Sequence, residues 1–222
     1  MSAQVTHVLG FGMQSSGSTV ISAQWQRRPD CDGVLDVNNR KLPLLWFTRA
    51  LAPRTTIFHQ KLTLNSKKGF DPQVVVRLVK AGFQTPDVKW YLILRNPYDI
   101  VVSLKNKIWG ARLERKLKKY NRIYRFVKTH DIPRIKYEDF VQNPSTAMWQ
   151  LFKAVGVPPV PIDPSERLVK KVYFKPQSDQ PTFAANMNAV VVLPRRFELG
   201  AGDKLMVQQC CRDVLKGEGY KY

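Results

Sequence analysis

The chain has 222 residues, 44% hydrophobic and 24% charged, proportions that exclude wholesale disorder and let a domain of this size bury roughly 70% of its unfolded surface. Its 36 Lys+Arg against 17 Asp+Glu give a formal net charge of +19, which suits polyanions such as nucleic acid, anionic glycan, acidic lipid or a multiply phosphorylated cofactor, or serves solubility alone. Cys31, Cys210 and Cys211, odd in number with two adjacent, exclude a disulfide framework, and the scattered His7, His59 and His130 show no metal-ligand spacing.

In chain order, "HVLGFG" (7–12) is a short apolar run ending in glycines and reads as a buried strand. "SSGSTVISAQWQRR" then begins a helix, "GVLDV" (33–37) is a short strand, and "TTIFHQKL" (55–62) is a core strand rich in β-branched and aromatic residues. "DPQVVVRLVKAG" (71–82) carries an Asp cap, Pro at its first helical position and a closing Gly, a helix signature. "VKWYLIL" (88–94) is another buried strand, followed by a Pro-initiated helix over 97–106. Residues 107–128 read as one long amphipathic helix. Its apolar stripe is Trp109, Leu113, Leu117, Tyr120, Tyr124 and Val127, with Lys116, Lys118, Lys119, Arg122 and Arg125 mostly off it. "IPRIKY" (132–137) reads as a strand, 143–156 as a capped helix, the proline-rich 157–182 as loop, and 202–219 as one C-terminal helix. Strands alternating with helices predict a single α/β domain over 1–222 with a mostly parallel central sheet. No segment approaches 18 continuous apolar residues and no basic leader precedes an apolar run, so the expected location is cytoplasmic.

The first chemical signal is "GMQSSGST", Gly12 to Thr19, with the spacing of a phosphate-binding loop between a strand and a helix. The lysine expected before the final hydroxyl residue is Ser18, and no lysine or arginine lies between Met1 and Gln26. Such a loop can still bind an anion. Free backbone N–H groups at a helix start, with the helix dipole, contribute up to about 2 kcal/mol, and Ser15, Ser16, Ser18 and Thr19 add hydroxyls. The candidate cradle is therefore Gln14, Ser15, Ser16, Gly17, Ser18 and Thr19.

The second signal follows "WYLIL". Arg95 ends a predicted parallel strand, where α/β sheets bind ligands, and Ser103 lies eight residues on, about two turns into the next helix. A guanidinium and a hydroxyl placed so can hold a second phosphate. Alternatively, Arg95 pairs with Asp99 as a helix-start ion pair.

Taken together, "SSGST", "LRNPYDIVVSL" and "YEDFVQNPSTAMWQLFKAVGV" resemble the sulfotransferase family that uses 3′-phosphoadenylyl sulfate (PAPS), in family order and across most of 7–156. The resemblance implies a P-loop-like fold and sulfuryl transfer from PAPS to an acceptor hydroxyl without a metal. It implies that the loop cradles the 5′-phosphosulfate, that Arg95 and Ser103 bind the 3′-phosphate, and that Arg195 and Arg196 in the C-terminal segment cover that phosphate. Two departures stand out. The family's loop cation corresponds to Ser15, and its Lys-Thr-His strand motif corresponds to "FHQKL". Here His59 and Lys61 share a strand face with Cα atoms roughly 6–7 Å apart. His59 is then the expected general base, and Lys61 the expected stand-in for the absent loop cation.

A small-molecule P-loop kinase is the competing enzyme, weakened by Ser18 where such loops reach the β- and γ-phosphates with lysine. A basic nucleic-acid-binding protein is a different class, but no helix-turn-helix, RNP or zinc-finger signature appears. An inactive nucleotide-binding protein is a further alternative. The acceptor stays open; an anionic glycan, a lipid or a small alcohol all suit the charge.

Overall fold

The computed structural model describes residues 6–37, 57–64, 88–105, 112–163 and 198–222. Runs such as "VLGFGM" and "WYLIL" are apolar on both alternating sets of side chains, the mark of strands covered on both faces. Five strands among the described residues, β1 (Thr6–Met13), β2 (Cys31–Val37), β3 (Ile57–Leu64), β4 (Val88–Leu94) and β5 (Arg134–Lys136), form one sheet in the order β2-β3-β1-β4-β5. Every pairing is parallel, as an α/β chain requires. From β1 the chain goes to the edge strand β2, returns to β3 beside β1, and then crosses to β4 and β5 on the other side, so the carboxyl end of β1 lies at a topological switch point.

Side chains alternate along each strand and build two cores. Leu9, Phe11 and Met13 of β1 join Leu92 and Leu94 of β4 on one face, with helices α2 (Pro97–Lys105), α3 (Leu113–Thr129), α6 (Ala201–Cys210) and α7 (Arg212–Glu218) packed against them. Val8, Tyr91, Ile93 and Ile135 face the other way, toward α1 (Ser18–Trp25), the short α4 (Tyr137–Gln142) and α5 (Pro144–Ala154). The α5 start is the capped one foreseen, with the Asn143 side chain accepting from Thr146 N and Pro144 at the first position.

Two expected helices are corrected. The basic helix begins at Leu113 rather than 107, because Arg112 stands at φ 66°, a left-handed conformation that a helix interior does not admit; Trp109 lies outside the described residues. The C-terminal helix is two. Cys211 closes α6, and the Asn121 side chain of α3 accepts from Asp213 N and Val214 N at the start of α7. A tertiary cap thus replaces two intrahelical bonds. Strand 132–137 is shorter than expected because Tyr137 already begins α4. Strand 55–62 runs from Ile57 to Leu64, and the helix expected over 71–82 lies outside the described residues. Among the described residues no helix is long and apolar enough to cross a membrane.

Helix α3 carries the packing that aims side chains at the end of β1. Leu113, Leu117, Tyr120, Ile123, Tyr124 and Val127 are all buried. Leu117→Ala should lower stability by about 2–5 kcal/mol, as deletion of a fully buried leucine side chain does. Urea unfolding checks this; a loss under about 1 kcal/mol would show that α3 is not anchored to the core as described.

Candidate active site

β1 ends at Met13, and the chain turns through Gln14–Gly17 into α1. The turn uses two left-handed residues, Ser15 at φ 68° and Gly17 at φ 78°. Ser15 pays a modest backbone strain of about 1 kcal/mol, whereas Gly17 has a steric reason to be glycine, since a β-carbon there would fall on the Tyr137 ring. Ser16 N closes the turn on Met13 O at 3.0 Å. Among the described residues no side chain caps α1, so its first amides remain available to an anion. The hydroxyls of Ser15 and Ser16 are buried and have no hydrogen-bond partner among the described residues. Buried polar atoms are rarely left so. An anionic group seated on the turn would supply acceptors for these hydroxyls and for the open amides. Ser18 is buried in the first turn, and Thr19 is half-buried beside it.

Arg95 leaves the end of β4, next to β1 in the sheet. Its Nη1 donates to Ser15 O at 3.0 Å, and its guanidinium lies 4.6 Å over the Tyr137 ring. Its Nε is buried without a partner among the described residues. The backbone of Arg95 is fixed by one hydroxyl: Arg95 N donates to Tyr120 Oη at 3.1 Å, and Tyr120 Oη donates to Arg95 O at 3.0 Å. Asn96 N donates to Glu138 Oε1 at 2.8 Å, and Tyr220 Oη donates to Glu138 Oε2 at 3.0 Å. The "YED" segment is thereby explained: Tyr137 supports both the turn and the guanidinium, and Glu138 holds the strand end. Burial raises the Tyr137 pKa, and the Arg95 charge pulls against that shift. Ser103 sits half-exposed on α2, one turn beyond Asp99, so these two positions share one face of the helix.

On the other side of β1, Lys61 of β3 is buried, and its ammonium donates to Thr19 Oγ1 at 2.5 Å. The cation expected to serve the loop thus reaches it. His59 does not. It is fully buried, opposite Val8 in register and five residues short of Leu64, which pairs with Met13. That places it roughly 16 Å below the end of the strands. Its ring stacks on Trp25 at 5.1 Å and 9°, and its Nε2 shares a 2.8 Å hydrogen bond with Tyr91 Oη. Burial, and secondarily the Lys61 charge, push its pKa down to about 3, so the imidazole is neutral in the fold. Arg195 and Arg196 lie outside the described residues.

Residues that sequence reasoning did not select complete the site: Tyr120, Tyr137 and Lys116. The Lys116 ammonium donates to Gln14 Oε1 at 3.3 Å across 102 residues of chain. The signal was present in the spacing. Residues 113, 116, 117, 120, 123, 124 and 127 form one helical stripe, and Lys116 occupies it, buried among apolar neighbours.

No protein-family model and no curated protein matches this sequence. Among solved structures, the sulfotransferase domain of the Synechococcus PCC 7002 olefin synthase matches 99% of this chain and 97% of its own length, with a TM-score of 0.57 at 16% identity. The fold is sulfotransferase-like. A sulfotransferase from Alicyclobacillus acidocaldarius matches 95% of this chain and 96% of its own, at 14% identity and a TM-score of 0.48. The turn after β1 and the arginine after β4 meet at the carboxyl ends of two neighbouring strands.

The buried imidazole has a thermodynamic consequence. Above pH 6.5 His59 is neutral in both folded and unfolded chains. As pH falls from 6.5 toward about 3, the unfolded chain takes up a proton that the folded one refuses. Its stabilising contribution is therefore complete above pH 6.5 and is lost below it, at up to about 1.4 kcal/mol per pH unit. Urea midpoints measured from neutral to mildly acid pH should fall less steeply in His59→Phe than in the native chain; equal slopes would place His59 in water.

Proposed function

We propose that this chain transfers a sulfuryl group from PAPS to an acceptor hydroxyl. The observation that carries the reading is the joint between two strand ends. An uncapped helix start with buried, unpartnered hydroxyls is tied through Ser15 O to a guanidinium at the end of the neighbouring strand. One anion site lies at the turn and a second at Arg95 with Ser103, which suits a ligand carrying a 5′ and a 3′ anionic group on one nucleoside. The sulfotransferase-like fold supports the same reading.

PAPS, when bound, supplies the sulfuryl group and leaves as adenosine 3′,5′-bisphosphate. In the transfer, a bond forms between sulfur and the acceptor oxygen, the bond from sulfur to the bridging phosphate oxygen breaks, and the hydroxyl proton departs to a base. The protein's part in such an in-line displacement is placement and charge. The amides of Gly17, Ser18 and Thr19 with the hydroxyls of Ser15 and Ser16 form the cradle of the 5′ end. Lys61, held on Thr19, adds positive charge where negative charge develops on the leaving oxygen. Arg95 has a buried Nε beside the bond it makes to Ser15, so the guanidinium can hold the loop with one nitrogen and offer others to a phosphate. His59 enters as a core imidazole that fixes β3, and Lys61 with it. Its burial under Trp25 keeps an acceptor hydroxyl away, so the base role expected from the sequence is not assigned to it.

Thermal shift separates this reading from a kinase. Adenosine 3′,5′-bisphosphate and PAPS should raise the melting temperature by several degrees at saturating concentration, and Mg-ATP should not. Arg95→Ala should weaken bisphosphate binding at least tenfold. Stabilisation by Mg-ATP alone would replace the proposal with a kinase, and label from PAPS reaching no glycan, phenol, lipid or alcohol in a panel would leave a binding protein.

A further inference from the structure

Helix α3 has two unlike sides. Its apolar stripe lies in the core, and the side turned away from the core carries Arg115, Lys118, Arg122 and Arg125, all exposed. Steps of three and four residues put these cations in one line, about 15 Å long at the rise of an α-helix. Helix α7 lies alongside, since the Asn121 side chain of α3 accepts from Asp213 N and Val214 N at its start. Both helices pack on the same face of the sheet, so the sides they turn away from the core point the same way. On α7 that side carries Arg212 and Lys216, one turn apart and exposed.

The acids beside this surface do not neutralise it. Glu114 pairs with Lys118 along α3, and Asp213 lies 3.5 Å from Arg125. Arg115, Arg122, Arg212 and Lys216 have no acidic partner among the described residues. A helix face that serves solubility alone intersperses the two signs. Here like charges occupy positions three and four apart, where they repel, and an anionic partner would relieve that repulsion.

The side chains around the cations select the partner. Nucleic acid held on a protein surface commonly stacks its bases on exposed aromatic rings. Neither α3 nor α7 has an exposed Phe, Tyr or Trp. The cations instead stand on the outer sides of two adjacent helices, where long side chains reach a common plane. A basic helix of this kind suits an anionic lipid surface.

We propose that the outer sides of α3 and α7 dock this protein on an anionic bilayer, with Arg115 and Arg122 as its central contacts. The apolar stripe of α3 is inside the fold, so docking is electrostatic and reversible, without insertion. The inner side of α3 meets the turn after β1 where Lys116 reaches Gln14. A docked bilayer therefore lies a helix diameter, about 10 Å, from that turn. Docking needs no nucleotide, so it stands apart from the donor reading.

The test is co-sedimentation of the intact chain with vesicles of phosphatidylcholine alone and of phosphatidylcholine with phosphatidylserine. The mixed vesicles should bind the protein and the neutral ones should not. Binding should vanish toward about 1 M salt, where charges are screened within about 3 Å. A basic residue near an anionic surface strengthens binding about fivefold, so Arg122→Glu should weaken it by at least that factor and Arg115→Glu with Arg122→Glu further. Lys153→Glu makes the same change of charge on α5, over the opposite face of the sheet, and should cost less than about twofold. Should Arg122→Glu unfold by circular dichroism, Arg122→Gln carries the same comparison. Equal losses in Arg122→Glu and Lys153→Glu would assign the binding to net charge and overturn the docking face. Equal binding to both vesicle types would overturn it too, as would single-stranded RNA that displaces the mixed vesicles at the same salt.

Discussion

The site depends on one hydrogen bond, from Arg95 Nη1 to Ser15 O. It links the end of β4 to the turn after β1 and makes two strand ends into one surface. Everything around it serves its geometry. Tyr120 brackets the Arg95 backbone from α3, Tyr137 lies under both the guanidinium and Gly17, and Glu138 holds the next residue along. Because the guanidinium also holds Ser15 in a left-handed conformation that a non-glycine residue seldom adopts, the shape of the turn is set before any ligand arrives. Preorganisation of this kind lowers the reorganisation cost of binding a charged group.

The second constraint is charge in a place poor in water. A phosphate-binding turn normally carries its cation within the loop itself. In this chain the helix start is uncapped and free of lysine, and positive charge is brought by side chains from β3, β4 and α3. Such a division makes the turn dependent on tertiary packing. Loosening α3 or β3 displaces a charge as well as a core side chain. The neutral His59, stacked on Trp25 and hydrogen-bonded to Tyr91, belongs to this scheme through Lys61, two residues along the same strand face.

Much of the architecture could be read from the sequence, and the reasons are physical. Strand β4 coincides with the expected 88–94 because an apolar run on both faces is bounded by a charge and a proline that cannot continue it. Helix α5 was marked by its Asn cap and Pro. The turn and Arg95 stood at the carboxyl ends of strands, which local sequence marks by the stop of an apolar run. What escaped depended on partners far away in the chain. The break at Cys211 is stabilised by Asn121, and the helix periodicity of 202–219 carries no trace of it. Lys116 was grouped with a solvated basic face although its spacing placed it in the apolar stripe, because lysine is read by its charge before its position. His59 beside Lys61 suggested a catalytic pair, but register decides depth in the sheet, and register is fixed by pairing with β1 rather than by local spacing.

The most direct test of the account is a crystal structure of the chain grown with adenosine 3′,5′-bisphosphate. The 5′-phosphate should lie on the amides of Gly17 to Thr19 with the Lys61 ammonium turned toward it, and the 3′-phosphate on Arg95 and Ser103. A nucleotide bound away from the turn after β1, or seated there with Lys61 still on Thr19 and in contact with neither phosphate, would contradict the account.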